Sequence, residues 1–172
     1  MAALDDVAMT EAEQQIEREG GCACGAVRYK LTAPPLIVHV CHCRDCQRLS
    51  GSAFALNIWI ERRFVEADHA RLRSVMLTAG SGKPHEVFRC PDCGTALWSK
   101  YHAAPGDTVF VRAGTLDHPE TIKPDVNIFT RSKLPWVELP ADIPAFEAFY
   151  KLAEFWPAES RERLRRNIAG EG

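Results

Sequence analysis

Seven cysteines in three tight groups constrain this chain more than any other feature: Cys22-x-Cys24, Cys41-x-Cys43-x2-Cys46 and Cys90-x2-Cys93. An odd number excludes complete internal disulfide pairing, and reduced cysteines so closely spaced bind a metal or carry redox chemistry. The Cys43-x2-Cys46 pair has the bare redox spacing, but no βαβ pattern surrounds it. Thiolate-rich sites suit Zn²⁺ or iron–sulfur clusters, and the usual ferredoxin runs are missing, so zinc is the expected metal.

Counting ligands divides the cysteines. Cys90-Pro91-Asp92-Cys93-Gly94 has the form of a zinc knuckle, whose pair chelates through a tight turn and whose glycine tolerates the conformation after it. Cys22-x-Cys24-Gly25 is the natural source of a second pair, which completes a closed Cys₄ site. Cys41, Cys43 and Cys46 then remain as three ligands from one short stretch, and three protein ligands with a free fourth position mark a catalytic zinc. The expectation is two zinc ions per chain, one structural and one catalytic. Spacing alone leaves two alternatives open. Cys22 and Cys24 could pair with the middle group, or His39, His42 or Asp45 could close the middle site.

An open trithiolate site implies a particular chemistry. Three thiolates on Zn²⁺ carry a net charge of −1, which makes the metal a poor Lewis acid for water and suits it to a soft fourth ligand, a substrate thiolate. Coordination lowers the thiol pKa and keeps the sulfur nucleophilic toward electrophiles such as aldehydes. An anionic thiol needs positive charge nearby. Arg44 and Arg48 flank the trio, and Gln47, Ser50, Gly51 and Ser52 follow. Arg44, Arg48, Ser50 and Gly51 are the expected substrate-binding residues, with exposed surface as the plain alternative for the arginines. Trp59, Trp98, Phe54 and Phe129 are readable as pocket wall or as core.

The rest of the composition excludes whole classes. With 172 residues, 46% hydrophobic and 26% charged, the chain reads as one ordinary globular domain. Its 21 Lys and Arg against 23 Asp and Glu leave a net charge of −2, which removes the usual drive for nucleic-acid binding. No apolar run approaches the 18 or so residues that cross a bilayer. The acidic first 19 residues lack an apolar stretch of the secretory kind, so the cytoplasm is the expected compartment.

The patterning is mainly β. Strands are expected over Ala26–Thr32, Leu36–Val40, Ala53–Ile60 (interrupted by Asn57), Val75–Ala79, His85–Arg89, Thr95–Lys100, Thr108–Ala113 and Val126–Thr130. Residues 1–19 read as a polar N-terminal arm, 20–147 as the metal-binding domain and 148–172 as a helical tail. Phe146, Phe149, Tyr150 and Ala153 recur at helical spacing. A second helix is expected over Ala158–Ile168, with Leu164 and Ile168 inward and Arg161, Arg163, Arg165 and Arg166 on a solvated face.

The runs GGCACGAVRY (20–29), CHCRDCQRLSGSAF (41–54), FRCPDCGTALW (88–98) and DVNIFTRSKLPW (125–136) resemble the glutathione-dependent formaldehyde-activating family, which includes domains similar to centromere protein V. All seven cysteines match in order and spacing. The resemblance implies a β-tent fold, with Cys22, Cys24, Cys90 and Cys93 on a structural zinc and Cys41, Cys43 and Cys46 on a catalytic one. It also implies glutathione as the small thiol partner and formaldehyde as the aldehyde, in a carbon–sulfur lyase reaction run toward S-(hydroxymethyl)glutathione. Many members carry His-Ile where this chain has Asn127-Ile128. Lys133 and Trp136 are further candidates for orienting the substrate. A homodimer is compatible with the sequence, and neither a nucleic-acid nor a membrane partner is expected.

Overall fold

The computed structural model describes residues 17–171. Its strands are β1 (Arg18–Gly21), β2 (Arg28–Leu31), β3 (Ile37–Cys41), β4 (Ala55–Glu61), β5 (Val65–Ala67), β6 (Arg73–Thr78), β7 (Pro84–Arg89), β8 (Ala96–Tyr101), β9 (Thr108–Arg112) and β10 (Val126–Ile128). The described residues also form three α-helices: α1 (Arg44–Ser50), α2 (Leu152–Phe155) and α3 (Ala158–Ala169). A three-stranded sheet runs β1-β2-β5, and a seven-stranded sheet runs β10-β3-β4-β9-β8-β7-β6. Pairing is antiparallel except between β10 and β3. No helix among the described residues is long and apolar enough to cross a membrane.

Alternation along the strands divides the core into two layers. On β4, Leu56, Ile58 and Ile60 face the small sheet, where they meet Tyr29, Leu31 and Val65; Val38, Val109 and Val111 complete this inner layer. Ala55 and Trp59, on the other face of β4, join Ile37, Cys41, Val126 and Ile128 in a second layer. Tyr150, Trp156 and Leu164 of the C-terminal segment cover that face. The β3–β4–β9 part of the large sheet is thus buried on both sides, which explains why β3 and β4 read as near-continuous apolar runs.

The eight expected strands are present with shifted ends. Three elements go beyond the pattern. β1 pairs Arg18–Gly21 with Arg28–Leu31, so residues 18 and 19, expected at the end of the polar arm, belong to a sheet. The expected arm over residues 1–16 lies outside the described residues. β5 and α1 carry too few apolar positions for a period to show.

The C-terminal segment differs in kind. Around Phe146 the chain is extended, not helical. Asn127 N–H donates to Pro144 O at 2.8 Å and Phe146 N–H to Asn127 O at 2.9 Å. The free edge of β10 thus takes backbone groups that a helix would have satisfied within itself. The expected helix shrinks to Leu152–Phe155. In α3, Leu164 is buried but Ile168 is 57% exposed, which corrects its expected inward packing. Arg163 turns inward instead, and its Nη2 and Nε donate to the two oxygens of Glu61 at 2.6 and 3.2 Å. Glu61 is fully buried at the end of β4, so this bidentate pair ties the tail to the sheet.

Removing one partner strands the other charge inside. Arg163→Ala is expected to lose about 3–5 kcal/mol in urea denaturation. A loss under about 1 kcal/mol would mean that the tail does not depend on this pair.

Candidate metal and substrate site

Two knuckles of matching design meet at the edge of the inner core. Cys22 opens the β1–β2 turn, where Gly25 N–H donates to Cys22 O and Cys22 N–H to Val27 O, both at 3.0 Å. Cys90 opens the β7–β8 turn, where Gly94 N–H donates to Cys90 O and Cys90 N–H to Thr95 O, both at 3.0 Å. Gly25 and Gly94 have φ of 76° and 74°, left-handed values that a side chain disfavours. The Sγ atoms of Cys22, Cys24, Cys90 and Cys93 all lie within 4.8 Å of one another. Cys22–Cys24 and Cys24–Cys90 are 3.5 and 3.8 Å apart. A tetrahedron with metal–sulfur legs of about 2.3 Å has edges of about 3.8 Å, so the set fits one tetrahedral ion. Val27 N–H donates to Cys22 Sγ at 3.2 Å. Hydrogen bonding from Thr95 holds the Cys93 thiol down at about 5.

The second group forms where β3 runs into α1. Cys41 ends β3 on the outer face, and Cys43 caps α1, its Sγ accepting Cys46 N–H at 3.3 Å. This thiol does what a serine hydroxyl does at a helix start. Cys46 follows one turn in. The three Sγ atoms share the 4.8 Å limit, and no fourth Cys, His, Asp or Glu ligand atom joins them among the described residues. The three candidates for closing the site are engaged elsewhere. His39 Nε2 pairs with Tyr150 OH at 2.6 Å, His42 Nε2 with Asn127 Oδ1 at 3.2 Å, and Asp45 Oδ2 accepts Gly80 N–H at 2.7 Å. Hydrogen bonds from Cys41 and then Cys46 pull Cys43 down to about 2, and the same contacts push Cys41 well above the ordinary thiol value.

This trio opens on a cavity of about 670 Å³, the size range of small-ligand sites. Trp59, Phe110, Phe129 and Phe149 give it apolar walls; Asn57, His85, Ser99, Tyr101 and Arg112 give it polar ones. Phe129 is held at φ 56°, a strained value for a side-chain-bearing residue at a cavity wall. Burial lowers His85 and then the charge of Arg112 lowers it further, so its imidazole stays neutral near pH 7.

Only part of the expected substrate set lines the cavity. Arg44 lines it, exposed and bonded to Gln47 Oε1. Arg48, Ser50 and Gly51 do not. Ser50 Oγ donates to Cys46 O at 2.7 Å and Gly51 adopts φ 65°, so both terminate α1. Lys133 Nζ donates to Val137 O at 2.6 Å and serves its own loop. Trp136 is 73% exposed, and Trp98 is buried between the sheets. Gln47 Nε2 fastens α1 to His42 O and Ser132 O at 2.8 and 2.9 Å.

Asn57, His85, Tyr101 and Arg112 escaped the sequence reading. The signal for Asn57 was visible, since it interrupts an apolar strand. Arg112, two residues after Phe110, shares its face by strand alternation.

Residues 17–132 match the family model described as "Glutathione-dependent formaldehyde-activating enzyme". A Halomonas elongata protein named "Putative glutathione-dependent formaldehyde-activating enzyme" is 29% identical over 126 residues, 70% of this chain and 80% of that one. A crystal structure of a Rhodobacter sphaeroides protein aligns over 74% of this chain and 99% of that one, at 17% identity and a TM-score of 0.44.

Purified protein grown with zinc is expected to hold two metal equivalents by elemental mass spectrometry. Cys46→Ala should stay folded and keep one. Cys90→Ala should lose solubility, because a structural zinc contributes about 10–16 kcal/mol, comparable to a whole domain's stability. A soluble, fully folded Cys90→Ala protein would contradict the structural assignment. The chain belongs to the glutathione-dependent formaldehyde-activating enzyme family.

Proposed function

We propose that this protein is a zinc enzyme that joins a small thiol, glutathione, to an aldehyde, formaldehyde, by a carbon–sulfur lyase reaction run toward the adduct. The observation that carries this reading is a three-thiol group with no fourth protein ligand among the described residues, facing a cavity large enough for a peptide-sized thiol. Family membership supports the two substrates. Its seven unpaired cysteines suit a reducing compartment, which supports the cytoplasm.

Cys22, Cys24, Cys90 and Cys93 would hold a structural zinc, and Cys41, Cys43 and Cys46 a catalytic one. Zinc bound by the trio lowers the pKa of a thiol ligand and keeps its sulfur anionic. The remaining work belongs to this chain's side chains. Asn57 Nδ2 reaches Cys46 Sγ at 3.9 Å and orients that thiolate. Trp59, Phe110 and Phe149 exclude water from the reacting atoms. His85, in the cavity wall with a lowered pKa, would be the base that takes the thiol proton. In the net reaction a sulfur–carbon bond forms, the carbonyl π bond opens, and the thiol proton passes to the carbonyl oxygen as hydroxyl.

Because glutathione and formaldehyde also combine unaided, the test is a rate. NMR exchange spectroscopy of the equilibrated mixture should show interconversion accelerated by the zinc-loaded protein. Cys46→Ala should remove the acceleration, and His85→Asn should cut it about 10²–10⁴-fold, the usual worth of a general base. Exchange at the uncatalysed rate with fully loaded protein would overturn the reading.

A further inference from the structure

Arg112 is the group in this cavity that the reaction leaves unexplained. It is 9% exposed. Its Nη1 donates to Asn57 Oδ1, while Nη2 is buried and has no hydrogen-bond partner. A guanidinium is always charged, and burying one with an unmet donor is costly. The one carboxylate in the cavity wall, Asp45, is taken by Gly80 N–H. Two more arginines, Arg44 and Arg131, line the same cavity and are exposed. The cavity thus has an enclosed cation in its wall and two solvent-reaching ones, beside a single bonded carboxylate.

Balancing the thiolates does not account for the spare donor. Asn57 stands between the two groups: its Oδ1 takes Arg112 Nη1, and its Nδ2 donates to Cys46 Sγ at 3.9 Å. The guanidinium is held one side-chain amide away from the sulfurs instead of touching them. Arg112 lines the cavity, so a ligand anion would reach the guanidinium from there, while a ligand thiol would meet the three cysteine sulfurs. A thiol that carries a carboxylate along its own backbone meets both demands in one molecule.

We propose that Arg112 is a specificity-determining residue that binds a carboxylate of the thiol substrate, so that the site prefers acidic thiols to neutral ones of the same size. The proposal rests on the thiol-binding reading above. Asn57 is its positioning residue, fixing the guanidinium through Nη1 and leaving Nη2 for the ligand. A planar fork also suits a carboxylate better than a point charge does.

Calorimetric titration of the zinc-loaded protein with three probes tests it: glutathione, its diethyl ester, and S-methylglutathione, which has the carboxylates but no free thiol. Wild type should bind glutathione at least about tenfold more tightly than the diester, the usual worth of one hydrogen bond to a charged group. Arg112→Met should bring that ratio close to one, and Arg112→Lys should recover only part of it. S-methylglutathione should bind weakly, and more weakly still to Arg112→Met. Zinc stoichiometry and near-ultraviolet circular dichroism check that each variant is folded. No preference in wild type, or equal proportional losses for glutathione and diester in Arg112→Met, would overturn the proposal. Failure of both thiols to bind wild type, with S-methylglutathione still dependent on Arg112, would overturn the thiol-ligation reading and leave the carboxylate anchor standing.

Discussion

The meeting of two cysteine knuckles is the constraint on which the rest of the molecule depends. One knuckle sits in a turn of the three-stranded sheet and the other in a turn of the seven-stranded sheet, with Cys24 and Cys90 66 residues apart in the chain. Closing so long a loop has an entropic cost that a bound metal offsets directly, because such a site scarcely exists in the unfolded chain. With Cys22 and Cys90 packed into the inner core, the cluster fixes how the sheets face each other. The hydrophobic layer between them then follows from ordinary strand alternation.

That alternation also builds the functional face. The central strands send Val38, Ile58, Val109 and Val111 to the inner layer, and their second face lines the cavity: Cys41 from β3, Asn57 and Trp59 from β4, Phe110 and Arg112 from β9. Pairing of Asn57 with both His39 and Arg112 in the ladder places the amide beside the guanidinium. The C-terminal segment closes the cavity with Phe149 and Leu152. That segment lies beyond the 17–132 match to the family, and in this chain it is anchored by Glu61 and Arg163. The proposed substrate site and the docked tail thus share one sheet face.

The sequence was most legible where chemistry and periodicity are local. The cysteine spacing led to the two groups that the structure assembles, and eight strands stood out as apolar runs. The structure then answers what spacing left open, since His39, His42 and Asp45 are each held by other partners. Less legible were features set by distant neighbours. Arg112 shares a strand face with Phe110, but the Asn57 that holds its guanidinium comes from another strand. Ser50 and Gly51 read as substrate-binding residues by their place beside the trio, but their groups terminate a seven-residue helix. Phe146, Phe149 and Tyr150 have helical spacing, yet the open edge of β10 draws their backbone into an extended path. Local patterns report local preference, and these positions are decided by tertiary partners.

The central claim is that the Cys41–Cys43–Cys46 site takes a substrate sulfur as its fourth ligand. The measurement that tests it most directly is an absorption titration of the cobalt-substituted protein with glutathione. Thiolate-to-cobalt charge-transfer bands report how many sulfurs bind each metal. A stronger or new band on adding glutathione, absent in Cys46→Ala while the Cys₄ spectrum persists, is the result this account requires. An unchanged spectrum from protein with both sites fully loaded would contradict it.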